Sequence, residues 1–104
     1  MPRRIGLMAV VLFGLLSVSA HAEMVQVTID KLVFAPVEVN AKVGDTIEWV
    51  NKDALVHTAT ATNNDWNVNI PGNQSGKIVL KKAGAVDYFC KFHPNMKGRI
   101  IVSP

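Results

Sequence analysis

Cysteine is almost missing from this chain: there is one, Cys90, in 104 residues. A single thiol cannot close an internal disulfide, so a fold stapled by cystines is excluded. Long apolar runs are missing too. Ile5 to Leu16 is about a dozen residues, against the roughly 20 that a membrane-spanning helix needs. The lysines are scattered and form no basic run, so nothing marks a nucleic-acid footprint. No ten-residue window carries a convincing helical stripe, and no repeat, low-complexity segment or linker marks a second domain.

What the chain does have begins with a short address. Arg3 and Arg4, the apolar stretch from Ile5 to Leu16, and the small-x-small ending Ala20-His21-Ala22 are laid out as a secretory signal peptide. Cleavage is expected after Ala22, giving a leader of residues 1–22 and a single domain of residues 23–104. No cysteine lies near the cut, which argues against a lipid anchor. The precursor carries 11 basic and 8 acidic residues. Arg3 and Arg4 leave with the leader, so the mature surface is close to neutral despite a precursor pI near 9.3. The expected location is periplasmic or otherwise exported, with no membrane span in the mature form.

From Glu23 onward every signal is strand or turn. Val25, Val27 and Ile29 alternate with Gln26, Thr28 and Asp30, and Ile47 and Trp49 share a face of Thr46 to Asn51. Phe34-Ala35-Pro36 interrupts, and Val37-Glu38-Val39 alternates again. Further strands are expected over His57 to Thr60, Trp66 to Ile70, Lys77 to Leu80, Val86 to Cys90 and Arg99 to Ser103. Turns or loops fall at Lys42 to Asp45, Thr62 to Asp65, Pro71 to Gly76 and Lys81 to Gly84. The fold class is all-β, a sandwich or barrel of about seven to eight short strands.

The chemistry gathers in Cys90-Lys91-Phe92-His93-Pro94-Asn95-Met96-Lys97-Gly98. Each donor has an ordinary reading by itself. A lone strand cysteine is usually a small buried apolar group, a loop histidine often makes a capping hydrogen bond, and a methionine fills core. Together, thiolate, imidazole and thioether form a soft donor set suited to copper, and His57 is the candidate fourth ligand. A trigonal site needs one thiolate and two imidazoles near one plane with a weak axial donor, and the three-residue spacings can bring them onto one ion. Zinc would ordinarily take water, carboxylate or another Cys or His in place of the thioether. An unpaired thiol committed to a metal is also protected in an oxidising compartment.

The segment Tyr88 to Gly98 resembles the ligand loop of the cupredoxins, the type 1 blue copper proteins. Its Cys-x-x-His-x-x-Met spacing is similar to that of the amicyanin branch of the amicyanin and plastocyanin family. Asn51 to His57 resembles the segment that ends in that family's first histidine ligand. The resemblance implies a Greek-key β-sandwich holding one copper ion on His57, Cys90, His93 and Met96. It implies that Asn51 pins the two ligand segments together and helps orient the thiolate. Lys91-Phe92 departs from the pattern, standing where amicyanin has a proline just before the second histidine.

The implied function is that of a monomeric carrier of single electrons rather than an enzyme, with the edge of the His93 ring as the electron port. Pro94, Phe92, Pro36 and Leu55 would form an apolar docking patch, rimmed by Lys52, Lys91 and Lys97. The resemblance suggests redox partners such as an amine dehydrogenase as donor and a c-type cytochrome as acceptor. A periplasmic copper carrier or chaperone is the alternative, and it would favour an open site with exchangeable ligands. A multicopper enzyme fails, because residues 23–104 offer only His57 and His93.

Overall fold

The computed structural model describes residues 21–104. The expected leader therefore lies, except for His21 and Ala22, outside the described residues. Among the described residues nine strands make up the fold: β1 (Met24–Asp30), β2 (Val33–Ala35), β3 (Glu38–Lys42), β4 (Thr46–Asn51), β5 (His57–Ala61), β6 (Asn67–Ile70), β7 (Ser75–Val79), β8 (Gly84–Cys90) and β9 (His93–Ser103). They form two sheets, in the orders β2-β1-β4-β7 and β3-β9-β8-β5-β6. The all-β sandwich expected from the alternation is what the chain builds. Two pairings are parallel, β1 with β4 and β3 with β9, and the rest are antiparallel.

The alternating residues meet between the sheets. Val27, Ile29, Ile47 and Trp49 face inward from one sheet, and Tyr88, Cys90, Ile100 and Val102 from the other. Trp49 and Tyr88 form the centre: their ring centroids lie 5.5 Å apart, edge to face, and the Trp49 indole N–H donates to the Tyr88 hydroxyl at 3.2 Å. Phe34 closes on Tyr88 from the other side at 4.8 Å. Burial raises the Tyr88 phenol to about 12, against the opposing pull of the Trp49 donor.

Gly98, opposite Tyr88 across the β8–β9 pair, lets the ring lie flat against the strand. A Cβ at that position would stand 2.4 Å from the Tyr88 ring.

Several boundaries differ from the expected ones. Val37 does not share the inward face of Val39: it precedes β3 and is exposed, while Val39 and Ala41 are the buried pair. β7 starts two residues earlier than expected and ends before Leu80, because pairing with β4 runs from Ser75 to Val79. The ligand segment is no open loop either. Cys90 and His93 pair directly across a tight turn of Lys91 and Phe92, and β9 already includes Met96 and Gly98.

Two turns are held by buried or half-buried carboxylates. The β1–β2 hairpin turns through Lys31 (φ 54°) and Leu32 (φ 64°), the two left-handed positions of a type I′ turn. Side chains other than glycine cost on the order of 1 kcal/mol each there. The Asp53 carboxylate accepts both backbone N–H groups, from Lys31 at 2.7 Å and Leu32 at 3.0 Å.

Asp45, at the entry to β4, accepts the N–H of Glu23 at 2.9 Å and of Lys42 at 2.8 Å. Those two bonds hold its carboxyl below the usual carboxylate range. A lowered acid stabilises the fold where it is ionised in both states, and loses that contribution as pH falls through its folded value. Asp45 therefore contributes fully at neutral pH and progressively less below about pH 4. In urea titrations of metal-free protein from pH 7 to 3, Asp45→Asn should be less stable than the parent at pH 7. The gap should narrow as pH falls below about 4, whereas a constant gap would assign the loss to something other than the charge.

Candidate metal centre

The four proposed donors arrive from three places. His57 opens β5, Cys90 ends β8, and His93 and Met96 lie at the start of β9. Because β5 and β8 are neighbours in one sheet, the first histidine and the cysteine, far apart in sequence, emerge side by side. The two-residue turn then folds His93 back opposite Cys90. His57 and Cys90 are completely buried, Met96 is 4% exposed, and His93 is half-buried.

The geometry is that of a preformed trigonal set. Cys90 Sγ lies 3.7 Å from His57 Nδ1 and 3.8 Å from His93 Nδ1. All three donor atoms fall within 4.8 Å of one another. Bonds of roughly 2 Å to imidazole and 2.3 Å to thiolate, opened to about 120°, separate nitrogen and sulfur by about 3.7 Å. The observed distances therefore suit one ion shared by all three. The imidazole rings stand edge to face, with centroids 5.1 Å apart. With a buried thioether three residues beyond His93, the donor set fits copper better than zinc.

Two residues that hold this set were not singled out from the sequence. Thr58, next to His57, donates its backbone N–H to Cys90 Sγ at 3.4 Å. Its hydroxyl accepts the Lys91 N–H at 2.9 Å, so one residue ties the histidine strand to the cysteine turn twice. The hydroxyl chain continues through Thr60 to Asn67 Oδ1, which makes Thr58 a donor to Thr60. Asp53 is the second: its Oδ2 lies 2.9 Å from His57 Nε2. Burial pushes the Asp53 carboxyl up. Bonds from the Leu32 N–H, His57 and the Lys31 N–H outweigh that and hold it below the usual carboxylate range. The only sequence signals were a threonine directly after the histidine and an acid four residues before it.

Asn51 has a different job from the one expected of it. Its side-chain amide donates to the carbonyls of Leu55 at 2.8 Å, Pro71 at 3.2 Å and Ile70 at 3.3 Å. Its Oδ1 accepts the Asp53 N–H at 2.9 Å. These bonds pin the loop before His57 to the end of β6, and the bridge to the cysteine turn is made by Thr58 instead. The reason is position: Asn51 ends β4, in the opposite sheet from β8 and β9.

Around the site, Phe92 is 57% exposed, Leu55 56% and Val56 39%. Pro36 and Pro94 are exposed, as are Lys52, Lys91 and Lys97. No helix among the described residues is long and apolar enough to cross a membrane.

Comparison with known proteins agrees with this geometry. Residues 5–102 match the family described as cupredoxin-like domain. The chain is 33% identical to amicyanin of Paracoccus versutus over 92 residues, which cover 78% of this chain and 66% of that protein. It is 33% identical to the chloroplastic plastocyanin of Tetradesmus obliquus over 104 residues, 84% of this chain and 71% of that one. The chain thus spans about two thirds of the length of these relatives. The crystal structure of the Paracoccus versutus amicyanin superposes with a TM-score of 0.68 at 35% identity, covering 83% of this chain and 85% of that one.

Proposed function

Because the chain belongs to the cupredoxin-like family, we propose that it is a small exported carrier of single electrons, loaded with one copper ion. The ligands in this reading are His57, Cys90, His93 and Met96, and a leader cleaved after Ala22 delivers residues 23–104 outside the cytoplasm. The observation that carries it is the pair of nitrogen-to-sulfur distances, 3.7 and 3.8 Å, at a buried cysteine. When bound, copper supplies a one-electron couple between Cu(II) and Cu(I), and a constrained trigonal site suits both states.

The protein's own residues do the rest. Asp53 accepts from His57 Nε2, which leaves Nδ1 as the free lone pair aimed at the sulfur. Burial of Cys90 and His57 keeps water and oxidants from the thiolate, and the Thr58 N–H fixes the sulfur from the side. His93 turns Nδ1 inward, so the opposite edge of its half-buried ring is the short route to the surface. Phe92 and Leu55 give that edge an apolar border on which a partner can dock without water between.

Copper delivery is the competing activity, and the burial of three of the four proposed donors disfavours it. The deciding experiment adds one equivalent of Cu(II) to metal-free protein. An electron carrier should turn intensely blue, with absorption near roughly 600 nm. It should bleach with reductant and recover with oxidant over repeated cycles while a chelator removes little copper. Rapid surrender of the ion to the chelator would favour delivery instead.

Lys52, Lys91 and Lys97 favour an acidic partner, a c-type cytochrome or a dehydrogenase among the candidates. With the rest of the surface near neutral, steering comes from this local group. The association rate with an acidic redox protein should fall severalfold in a Lys91→Ala/Lys97→Ala variant at low salt. The difference should vanish at about 0.5 M salt, where charges are screened within a few ångströms. Stopped-flow rates that ignore both salt and substitution would remove the lysines from the docking surface.

A further inference from the structure

The β1–β2 turn is strained for a reason that the turn itself does not supply. Lys31 and Leu32 both sit in the left-handed region, where an Asn-Gly pair would sit easily. Both are exposed, so core packing does not hold them there. What the conformation achieves is convergence. Their two N–H groups reach the two oxygens of one carboxylate, Asp53, at 2.7 and 3.0 Å.

That carboxylate is fixed on its other sides as well. The Asp53 N–H donates to Asn51 Oδ1, and the Asp53 carbonyl accepts the Asn73 N–H at 2.9 Å. Its side chain is only 14% exposed, and Oδ2 meets the fully buried ring of His57 at 2.9 Å. A continuous path of short bonds therefore runs from the hairpin turn through Asp53 and across the imidazole to the nitrogen that faces Cys90.

We propose that Asp53 is the positioning residue that tunes the metal centre through His57, with the strained β1–β2 turn as its anchor. The inference rests on the copper reading of the site and deepens it. An ionised carboxylate on Nε2–H fixes the ring in the tautomer whose Nδ1 is free, and it makes that nitrogen more basic. Negative charge placed there favours the more highly charged Cu(II) over Cu(I), and so lowers the reduction potential. The two backbone donors stop the carboxylate from swinging away to solvent. Replacing both turn residues should leave the potential alone, because the donors belong to the main chain.

The test uses copper-loaded protein and Asp53→Asn, whose amide keeps the shape and can still accept from the turn. If its NH2 group faces Nε2 it offers a donor where an acceptor is needed, and in either orientation the negative charge is gone. Cu(II) affinity should drop about 10- to 100-fold with Cu(I) affinity little changed. Each tenfold loss raises a one-electron potential by about 59 mV. Lys31→Asn/Leu32→Gly, which relieves the turn and keeps both N–H groups, should match the parent potential and melt at a higher temperature.

A second measurement needs no variant. Nitrogen-15 NMR of the metal-free protein should find the His57 proton on Nε2. A His57 proton on Nδ1, or an Asp53→Asn protein with parental potential and Cu(II) affinity, overturns the proposal. A parent that never turns blue would instead overturn the copper reading beneath it, so the two failures are told apart.

Discussion

Cys90→Ser should abolish the absorption near roughly 600 nm completely while leaving the fold intact. The band arises from charge transfer between thiolate and Cu(II), and a serine hydroxyl has no comparably high-lying electron pair. Cys90 has the only thiol in the chain, so no other residue can substitute. Serine is close in size to cysteine, and the group left facing it, the Thr58 N–H, can donate to oxygen as well as to sulfur. The metal-free variant should therefore melt close to the parent, within about 1–2 kcal/mol for a polar change in a buried place. Cu(II) binding should weaken severalfold or more, and any copper retained should be pale. An undiminished blue band would mean that the chromophore is elsewhere.

Gly98→Ala should be strongly destabilising for a single added methyl. The new carbon would lie 2.4 Å from Cζ, 2.5 Å from the hydroxyl oxygen and 2.7 Å from Cε1 of Tyr88. An ordinary contact needs about an ångström more. The ring has nowhere to go: Phe34, Trp49 and Trp66 surround it at centroid distances of 4.8, 5.5 and 5.8 Å, and Trp49 bonds to its oxygen. Overpacking of this kind costs about 1–3 kcal/mol or more, and the upper end is expected where the obstacle is a ring locked on three sides. In a domain this small each kcal/mol lowers the melting temperature by about 4–8 °C, so a fall of at least 10 °C is anticipated. Tyr88→Leu removes the obstacle while leaving apolar filling. Its combination with Gly98→Ala should be less damaging than the two losses added together. Simple additivity would show that the clash is not the cause.

Gly98 also shows what kind of information the linear sequence carries. A glycine two residues after the methionine is plain in the sequence, but the group that requires it is not. Tyr88 faces it only because β8 and β9 pair in one register, and register is a long-range property. The same divide runs through the site. Cys90, His93 and Met96 announce themselves by spacing, since three residues are within reach of one another in any compact turn.

His57 was legible as the one other imidazole in residues 23–104. Thr58 and Asp53 were not, because threonine and aspartate are common in loops and only their partners give them meaning. Alternation marked Val27, Ile29, Ile47 and Trp49 as core, since period two is written locally. It misread Val37, which has the right residue type one step outside the strand. The parallel pairings left no local trace at all.

Those pairings also set an order of events. Among the described residues β3 pairs with β9 alone, with Glu38 opposite Arg99 and Lys42 opposite Ser103, so one edge of the sandwich waits for the ninth strand to be made. Three of the four proposed ligands lie in Cys90 to Met96, in that same late stretch. A chain with such late, distant closures gains little from folding while it is still being synthesised. It stays pliable until β9 has emerged, the condition in which a polypeptide can be threaded through a narrow channel. Under the exported-carrier proposal, the two sheets and the metal centre would then close together after that passage.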